Sequence, residues 1–312
     1  MQIGDFTNIT CTFVLKNNMK YQDFIHRLTS IYDDREARAM VRMVFDILYG
    51  MSLTDLLCGK TDELPDAEQQ RIESIFSRLE QGEPIQYVLG IAEFGNHRFH
   101  VAPGVLIPRP ETLCLCELIN RFAASKHGVY PSPTRILDIG TGSGCIAITC
   151  ALDNPEAQVT AWDIMPDALK IAKQNAENLH ANVTFEQKDI LNVGKTSMKW
   201  HIIASNPPYI CEKEKKDMER NVLDYEPYEA LFVPDDDPLL FYRAIALFAK
   251  DALEDGGHLL FEINPIYAQE LLSLMQDLNF TNTQITNDPF GKQRFLTCQK
   301  SHEDTTDDNF KH

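Results

Sequence analysis

The sequence lacks any long apolar run, since no stretch approaches the roughly 18 consecutive apolar residues that a membrane-spanning helix needs. Residues Met1 to Phe13 contain no basic segment followed by an apolar one, so no secretory signal is visible. Eight cysteines are present, but there is no Cys-x-x-Cys pair, and no histidine spacing completes a zinc site. We therefore expect a cytoplasmic protein with reduced cysteines, no bound metal and no membrane partner.

Positive charge is also scarce. The chain has 29 Lys and Arg residues against 46 Asp and Glu residues, which gives a formal net charge of −17. Proteins that hold a nucleic-acid backbone usually present a basic face, because the release of counterions drives that binding. The acidic field therefore disfavours a stable nucleic-acid partner and favours a protein or a small molecule.

The length of 312 residues, of which 44% are hydrophobic, allows two domains with sizeable cores. Up to about Glu83, apolar residues recur with the spacing of one helix face. Two such stripes are Val41, Val44, Phe45 and Leu48, then Ile72, Ile75, Phe76 and Leu79. After Pro84 the pattern changes to short apolar runs separated by glycine and proline, which is typical of a hairpin. The predicted organisation is a helical domain over 1–83, a hairpin linker over 84–107, a larger domain over 108–300 and a disordered tail over 301–312.

In the larger domain, short apolar runs alternate with helical patterns, which predicts an α/β fold with a mostly parallel, doubly wound sheet. The predicted strands are Arg135–Ile139, Gln158–Asp163, Val183–Gln187, His201–Ser205 and Gly257–Ile263. Helices are predicted over Cys145–Leu152 and Ala168–Leu179. Two later runs, Phe280–Thr286 and Phe295–Gln299, predict a C-terminal antiparallel hairpin around Pro289–Gly291.

A glycine-rich stretch, Asp138-Ile139-Gly140-Thr141-Gly142-Ser143-Gly144, follows the first of these strands and opens a helix. Glycines let a backbone turn sharply and approach a ligand, and such folds bind ligands at this edge of the sheet. A dinucleotide site of the G-x-G-x-x-G type is an alternative, but the third glycine comes one position early. We expect S-adenosylmethionine, which has no phosphate, to contact Gly140, Thr141, Gly142, Ser143 and Gly144. A purely structural turn is the remaining alternative.

Acidic residues follow the next two strands. Asp163 ends the second strand, where a carboxylate can accept hydrogen bonds from both ribose hydroxyls. Asp189 and Ile190 follow the third strand, where they could contact the amino group and the ring of adenine. A capping role for Asp163, and a plain loop with a core isoleucine for the other two, are the structural alternatives.

The stretch Asn206-Pro207-Pro208-Tyr209 directly follows the fourth strand and indicates the chemistry. A nitrogen bonded to an sp² carbon is a poor nucleophile, because its lone pair is delocalised. The Asn206 side-chain oxygen and the Pro207 carbonyl could accept hydrogen bonds from such a nitrogen and turn its lone pair towards the methyl donor. The prolines stiffen the turn, and Tyr209 offers an aromatic wall. We expect Asn206 and Pro207 to be catalytic, all four residues to bind substrate, and Asn206 also to contact the cofactor.

These motifs resemble those of the peptide-chain-release-factor glutamine N5-methyltransferases, the PrmC/HemK family. The resemblance runs from about Pro84 to Leu296 and is carried by particular stretches. They are Pro84-Ile85-Gln86-Tyr87-Val88-Leu89-Gly90, Val105-Leu106-Ile107-Pro108-Arg109-Pro110-Glu111-Thr112, the glycine loop, Asn206-Pro207-Pro208-Tyr209-Ile210, Glu226-Pro227 with Ala230-Leu231, and Phe261-Glu262-Ile263. Two departures are Leu113, where the family usually has an acid, and Asn264-Pro265, where it usually has glycine.

The resemblance implies a Rossmann-like methyltransferase domain behind a small helical domain that docks the release factor. It implies methylation of the glutamine in the Gly-Gly-Gln loop of class 1 peptide chain release factors. It assigns no role to Arg109 or Glu111. Two alternatives are an amino methyltransferase acting on adenine or guanine in nucleic acid, and a catalytically inactive protein that binds the cofactor and acts in assembly.

Overall fold

The structure is a computed structural model that describes residues 20–124 and 133–301. Residues 1–19 of the predicted helical domain and 302–312 of the predicted disordered tail lie outside the described residues. The chain divides into two compact units between Leu89 and Gly90. No helix in the described ranges is long and apolar enough to cross a membrane.

The first unit is helical, with a short 3-10 turn at Lys60–Glu63. Its helices are α1 (Tyr21–Leu28), α2 (Asp34–Tyr49), α3 (Leu53–Leu57), α4 (Asp66–Leu79) and α5 (Ile85–Leu89). The predicted stripes on α2 and α4 pack together in one core, in which Val41, Val44 and Phe76 are fully buried. At its N-terminus α2 is capped by Asp33, and α2 ends at Gly50 in the left-handed conformation.

The hairpin predicted within residues 84–107 is shorter in the structure and belongs to the second unit. It consists of β1 (Ile91–Phe94) and β2 (His97–His100), paired antiparallel. The residues before it form α5, because Ile85 and Val88 bury their side chains in the helical core.

The second unit contains a seven-stranded sheet with flanking helices. Its further strands are β3 (Arg135–Ile139), β4 (Gln158–Asp163), β5 (Val183–Gln187), β6 (Trp200–Ser205), β7 (Ile210–Cys211), β8 (Phe232–Val233), β9 (Leu253–Glu262), β10 (Phe280–Asn287) and β11 (Gln293–Lys300). Its helices are α6 (Thr112–Ala124), α7 (Cys145–Asp153), α8 (Pro166–Leu179), α9 (Arg220–Tyr225), α10 (Tyr228–Leu231), α11 (Leu240–Ala252) and α12 (Ala268–Asp277), with 3-10 turns at Glu212–Asp217 and Pro265–Tyr267.

The strand order in the large sheet is β10-β11-β9-β6-β3-β4-β5. The five strands from β9 to β5 are mutually parallel, and β11 and β10 complete the sheet as an antiparallel pair. This confirms the predicted doubly wound sheet with a C-terminal antiparallel hairpin. Strands β7 and β8 form a separate short parallel pair, which brackets the segment from Glu212 to Leu231.

Strand β9 differs from its prediction at both ends. It begins at Leu253 rather than Gly257, and it ends at Glu262 rather than Ile263. Trp200 pairs with Leu253, yet Ile202 pairs with His258, so β9 carries extra residues in a bulge. Gly256 has a φ of 72°, which a glycine adopts without strain. The run of apolar residues in the sequence therefore predicts only the regular part of β9.

The chain reverses its direction of travel across the sheet at β3. It proceeds from β3 to β4 and β5 on one side, then returns to place β6 on the other side. Ile139 and Ser205, the last residues of β3 and β6, are paired, and the buried Ser205 hydroxyl donates to the Ile139 carbonyl at 2.6 Å. The glycine-rich loop and the Asn206–Tyr209 turn therefore leave the sheet from neighbouring positions, at the edge where such folds bind ligands.

We predict that Gly144→Ala destabilises the second unit by about 1–3 kcal/mol, mostly through left-handed backbone strain. Gly144 has a φ of 84°, and an added Cβ would lie 2.9 Å from Ile148 Cδ1 and 3.1 Å from Ala172 Cβ. Urea unfolding would measure the change. The matched control is Gly194→Ala, where an added Cβ meets nothing within 4 Å. Equal stability of the two variants would contradict the close packing at Gly144.

Candidate active site

The glycine-rich loop has an open side and a packed side. Gly140, Gly142 and Gly144 all have positive φ, of 75°, 54° and 84°. A Cβ added at Gly140 or Gly142 would meet nothing within 4 Å, so the backbone at these two positions is open to a ligand. Gly144 instead packs against α7 and α8. The first two glycines therefore suit ligand contact, and the third suits close packing of the helices.

Asp163 is attached to this loop by hydrogen bonds. Its Oδ2 accepts from the Gly142 N–H at 2.8 Å, and its Oδ1 accepts from the Met165 N–H at 2.9 Å. Burial raises the pKa of Asp163, and these backbone bonds oppose the rise. Each carboxylate oxygen keeps a further acceptor position, so the contacts leave Asp163 able to accept from ribose hydroxyls as the sequence predicts.

Asp138 is a second acid at the loop, to which the sequence reasoning assigned no role. It is 1% exposed, and its Oδ2 accepts from the Thr141 hydroxyl at 2.6 Å. Its Oδ1 has no hydrogen-bond partner among the described residues. Burial raises the pKa of Asp138 to about 7, against the opposing bond from Thr141. A cation bound at the loop would favour the ionised form of this carboxyl.

These features fit S-adenosylmethionine, which carries a sulfonium and an ammonium group. Asp138 and Asp163 supply negative charge at the loop, and Gly140 and Gly142 supply open backbone. Asp189 lies beside its own turn, where it accepts from the Leu191 N–H at 2.9 Å and from the side chain of Asn192. The predicted adenine contacts of Asp189 and Ile190 therefore remain predictions. No group of three or more His, Cys, Asp and Glu residues in the described ranges is placed to hold a metal ion.

The Asn206–Tyr209 turn lies on a cavity of about 300 Å³. Asn206, Pro207 and Tyr209 line the cavity, whereas Pro208 does not. Most of the remaining wall comes from the segment between β7 and β8 and from the stretch before α6. These lining residues are Met218, Glu219, Val222, Ala230 and Leu231, then Leu106 and Arg109. A largely apolar cavity that also contains a few polar groups suits a small, flat polar group on a flexible stem.

Two acceptor oxygens of this turn have no hydrogen-bond donor among the described residues. Asn206 Nδ2 lies 3.5 Å from the Thr112 hydroxyl, and this contact leaves the Asn206 Oδ1 to accept hydrogen bonds. The Pro207 carbonyl accepts no hydrogen bond from the described residues. The geometry therefore leaves both predicted acceptors available to the two N–H groups of an amide.

One buried carboxylate, that of Glu262, is bonded to the Asn206–Tyr209 turn and to Thr112. Glu262 is 1% exposed and accepts from the Thr112 hydroxyl at 2.6 Å and from the Tyr209 hydroxyl at 3.2 Å. Burial raises the pKa of Tyr209, so its phenol stays neutral and donates. The sequence reasoning quoted Thr112 and Glu262 within motifs but gave neither a role. The 150 residues between them hide their contact from any local pattern.

Arg109, which the resemblance left unassigned, pairs with a buried acid. Its Nη2 lies 2.6 Å from Glu226 Oε1, and the Ile107 N–H donates to the other oxygen at 3.2 Å. This pair joins the stretch before α6 to the turn between α9 and α10, and Arg109, Val222 of α9 and Ala230 of α10 line the cavity. The Glu111 side chain makes no hydrogen bond with the described residues, so its contacts assign it no role.

The two departures from the family pattern have structural partners. The Leu113 side chain lies over Gly95, where an added Cβ would be 3.3 Å from Leu113 Cδ1. Asn264 Nδ2 donates to the Tyr209 carbonyl at 3.1 Å and to Glu214 at 3.1 Å, and its Oδ1 accepts from the Ile266 N–H. Asn264 therefore supports the far end of the Asn206–Tyr209 turn.

Comparison with known proteins assigns the family. Residues 21–90 match the model of the PrmC N-terminal domain, and residues 119–224 match that of the methyltransferase small domain. A release factor glutamine methyltransferase of Bacteroides thetaiotaomicron is 45% identical over 274 residues, which cover 88% of this chain and 96% of that relative. The chain belongs to the release factor glutamine methyltransferase family. A relative of the same name from Flavobacterium psychrophilum is 38% identical and covers 88% of this chain and 95% of its own length.

We predict that Asp163→Ala weakens S-adenosylmethionine binding by about 1.5–3 kcal/mol, the usual range for hydrogen bonds to a charged acceptor. Isothermal titration calorimetry would measure the affinity. Asp167→Ala is the matched control, because it removes the same charge from an exposed position in the first turn of α8. Unchanged affinity in Asp163→Ala would remove this residue from the cofactor site.

Proposed function

We propose that this protein transfers a methyl group from S-adenosylmethionine to the side-chain amide nitrogen of the glutamine in the Gly-Gly-Gln loop of class 1 peptide chain release factors. The observation that carries the proposal is the Asn206–Tyr209 turn, in which Asn206 and Pro207 line a cavity of about 300 Å³ and each keeps an acceptor oxygen without a donor among the described residues. Relatives that share most of the chain are named release factor glutamine methyltransferases, which supports this choice of substrate.

The proposed mechanism depends on orientation of the substrate amide. Asn206 Oδ1 and the Pro207 carbonyl accept its two N–H groups, so that its lone pair faces the methyl donor. S-adenosylmethionine, when bound, supplies an electrophilic methyl group on a sulfonium. Methylation gives the nitrogen a positive charge and removes its amide resonance, so the nitrogen becomes strongly acidic and its proton leaves to water. No residue has to remove a proton before the transfer.

The cofactor is proposed to bind at the glycine-rich loop, with Gly140 to Gly144 and Asp163 in contact with it. Asp138 and Asp163 favour a positively charged ligand there, and Asp163 favours a ribose. Asn206 starts from a strand end that is paired with the strand end of this loop, which supports a contact between Asn206 and the cofactor as well.

A nucleic-acid amino group is the competing substrate, since a nitrogen on a purine ring is also planar. The net charge of −17 disfavours it. Incubation of the protein with labelled S-adenosylmethionine and, separately, a release factor, duplex DNA or RNA would distinguish the substrates. We expect label only in the release factor, and mass spectrometry should place one methyl group on the glutamine of its Gly-Gly-Gln loop.

We predict that Asn206→Ala lowers kcat by about 10²–10³, the usual cost of losing one preorganised group at the reacting atoms. Calorimetric affinity for S-adenosylmethionine should fall far less than kcat, by under about tenfold or 1.4 kcal/mol, because Asn206 would supply only one of several cofactor contacts. Asn182→Ala, an exposed asparagine before β5, is the control and should behave as the wild type. A kcat close to that of the wild type in Asn206→Ala would rule out Asn206 as an acceptor.

The helical unit is proposed to dock the release factor. It has its own core, and both cores of the second unit lie after residue 90, so a chain that starts at Gly90 should fold. That shorter chain should bind S-adenosylmethionine normally and lose about tenfold or more in kcat/KM on intact release factor, the loss expected if docking contributes ~1.4 kcal/mol. Full kcat/KM in the shorter chain would contradict the docking role.

A further inference from the structure

Glu262 is linked to both ends of the Asn206–Tyr209 turn, directly to Tyr209 and through Thr112 to Asn206, although it does not line the cavity. Its Oε2 accepts from Thr112, which contacts Asn206, and its Oε1 accepts from the Tyr209 hydroxyl. Arg294 Nη1 lies 3.8 Å from the same Oε1. The carboxylate therefore faces a hydroxyl on one oxygen, and a hydroxyl and a cation on the other.

The number of protons on Thr112 fixes the direction of the hydrogen bonds. Its hydroxyl has a single proton, and at 2.6 Å this proton is donated to Glu262, which as a carboxylate can only accept. Towards Asn206, Thr112 can then only accept. The Asn206 side-chain amide must present its Nδ2 to Thr112, at 3.5 Å, and its Oδ1 is turned the other way.

We propose that Glu262 is a positioning residue that, through the Thr112 hydroxyl, selects the amide orientation of Asn206 in which Oδ1 faces the substrate. An asparagine amide has two orientations of nearly equal shape, and only one of them presents an acceptor to a substrate N–H. The inference rests on the proposed amide methylation and extends it. Glu262, which lies more than 50 positions after Asn206 in the sequence, thereby determines whether Asn206 presents its Oδ1 to the substrate.

Arg294 keeps Glu262 in the form that this role requires. Burial raises the pKa of Glu262, while the bond from Thr112, the charge of Arg294 and the bond from Tyr209 oppose the rise. Arg294 is held in place by Asp288, with Nε and Oδ2 3.0 Å apart. An ionised Glu262 is therefore compensated in the folded protein, as a buried charge must be.

Glu262→Gln reverses the direction of this chain of bonds. The new amide oxygen faces Arg294 and Tyr209, since an NH₂ group there would lie against the guanidinium. Its NH₂ group then points at Thr112, which must accept from it and donate its own proton towards Asn206. The Asn206 amide turns over to accept that proton, and Oδ1 no longer faces the substrate.

The central test is the kinetics of Glu262→Gln on a class 1 release factor. We expect kcat to fall about tenfold, since the preference between the two Asn206 orientations is worth roughly one hydrogen bond. KM for the release factor and the affinity for S-adenosylmethionine should change less than kcat, because the proposed docking unit and the glycine-rich loop keep their contacts. A kcat equal to that of the wild type would overturn the proposal.

We call the chain of hydrogen bonds from Glu262 through Thr112 to Asn206 the relay. Variants of Thr112 distinguish an effect of the relay from a general loss of packing. Thr112→Val keeps the shape but removes the hydroxyl, and should lower kcat about threefold to tenfold, whereas Thr112→Ser should recover most of that loss. Thr149→Val is the matched control, because the buried Thr149 hydroxyl on α7 has no partner among the described residues. In a Thr112→Val background, Glu262→Gln should lower kcat further by much less than tenfold, because the residues act in series. Additive losses would overturn the relay.

A spectroscopic measurement tests the relay without turnover. With ¹⁵N-labelled asparagine, the Asn206 NH₂ protons should show a cross-relaxation peak to the Thr112 methyl group in the wild type, and this peak should disappear in Glu262→Gln. An unchanged peak would overturn the proposal even if kcat falls. Absence of methyl transfer by the wild type would contradict the proposed function instead, and leaves this peak as the separate test of the relay.

Discussion

Strands β3 and β6 lie side by side, and the chain leaves their carboxyl ends to form the two motifs on which the site depends. Ile139 and Ser205 are paired at those ends, and a 2.6 Å hydrogen bond joins them. The neighbouring strand β4 adds Asp163, and its Trp162 carbonyl accepts from the Gly140 and Thr141 N–H groups. Parallel pairing thus brings together residues that are more than 60 positions apart, through backbone bonds and the bond donated by the Ser205 side chain.

Buried acids dominate the electrostatics of this edge. Asp138 and Glu262 are each 1% exposed, and Asp163 is half-buried. The charged partners of these acids differ, since Glu262 has Arg294 at 3.8 Å, whereas Asp138 has no cationic partner among the described residues and accepts from the Thr141 hydroxyl. Asp138 lies at the glycine-rich loop, where a cationic cofactor is proposed. Glu262 contacts the Asn206–Tyr209 turn, where the substrate is proposed to bind. On the proposed mechanism, the carboxylate of Glu262 sets hydrogen-bond directions at the turn, whereas Asp138, whose pKa is about 7, favours a cation at the loop.

The sequence predicted the parts of the molecule that local pattern controls. Strand β3, the glycine-rich loop and the C-terminal hairpin follow from apolar runs and turn residues, and the structure has them within a few positions. The bulge in β9 was missed, because it depends on pairing with β6 rather than on its own residues. Roles for Thr112 and Glu262 were missed for the same reason, since their contact spans 150 residues. Asn264 was noted only as a departure, although its amide supports the Tyr209 carbonyl.

In the proposed mechanism, the site holds the substrate amide between fixed acceptors, and no base removes a proton before methyl transfer. The most direct measurement is the single-turnover rate of methyl transfer between about pH 6.5 and pH 8.5, with folding monitored at each pH. S-adenosylmethionine must be saturating, because the pKa of Asp138 is about 7 and its titration would alter cofactor binding. The account predicts a nearly constant rate across this range. A rise of about tenfold per pH unit would mean that a group loses its proton before the methyl group moves, and would contradict the account.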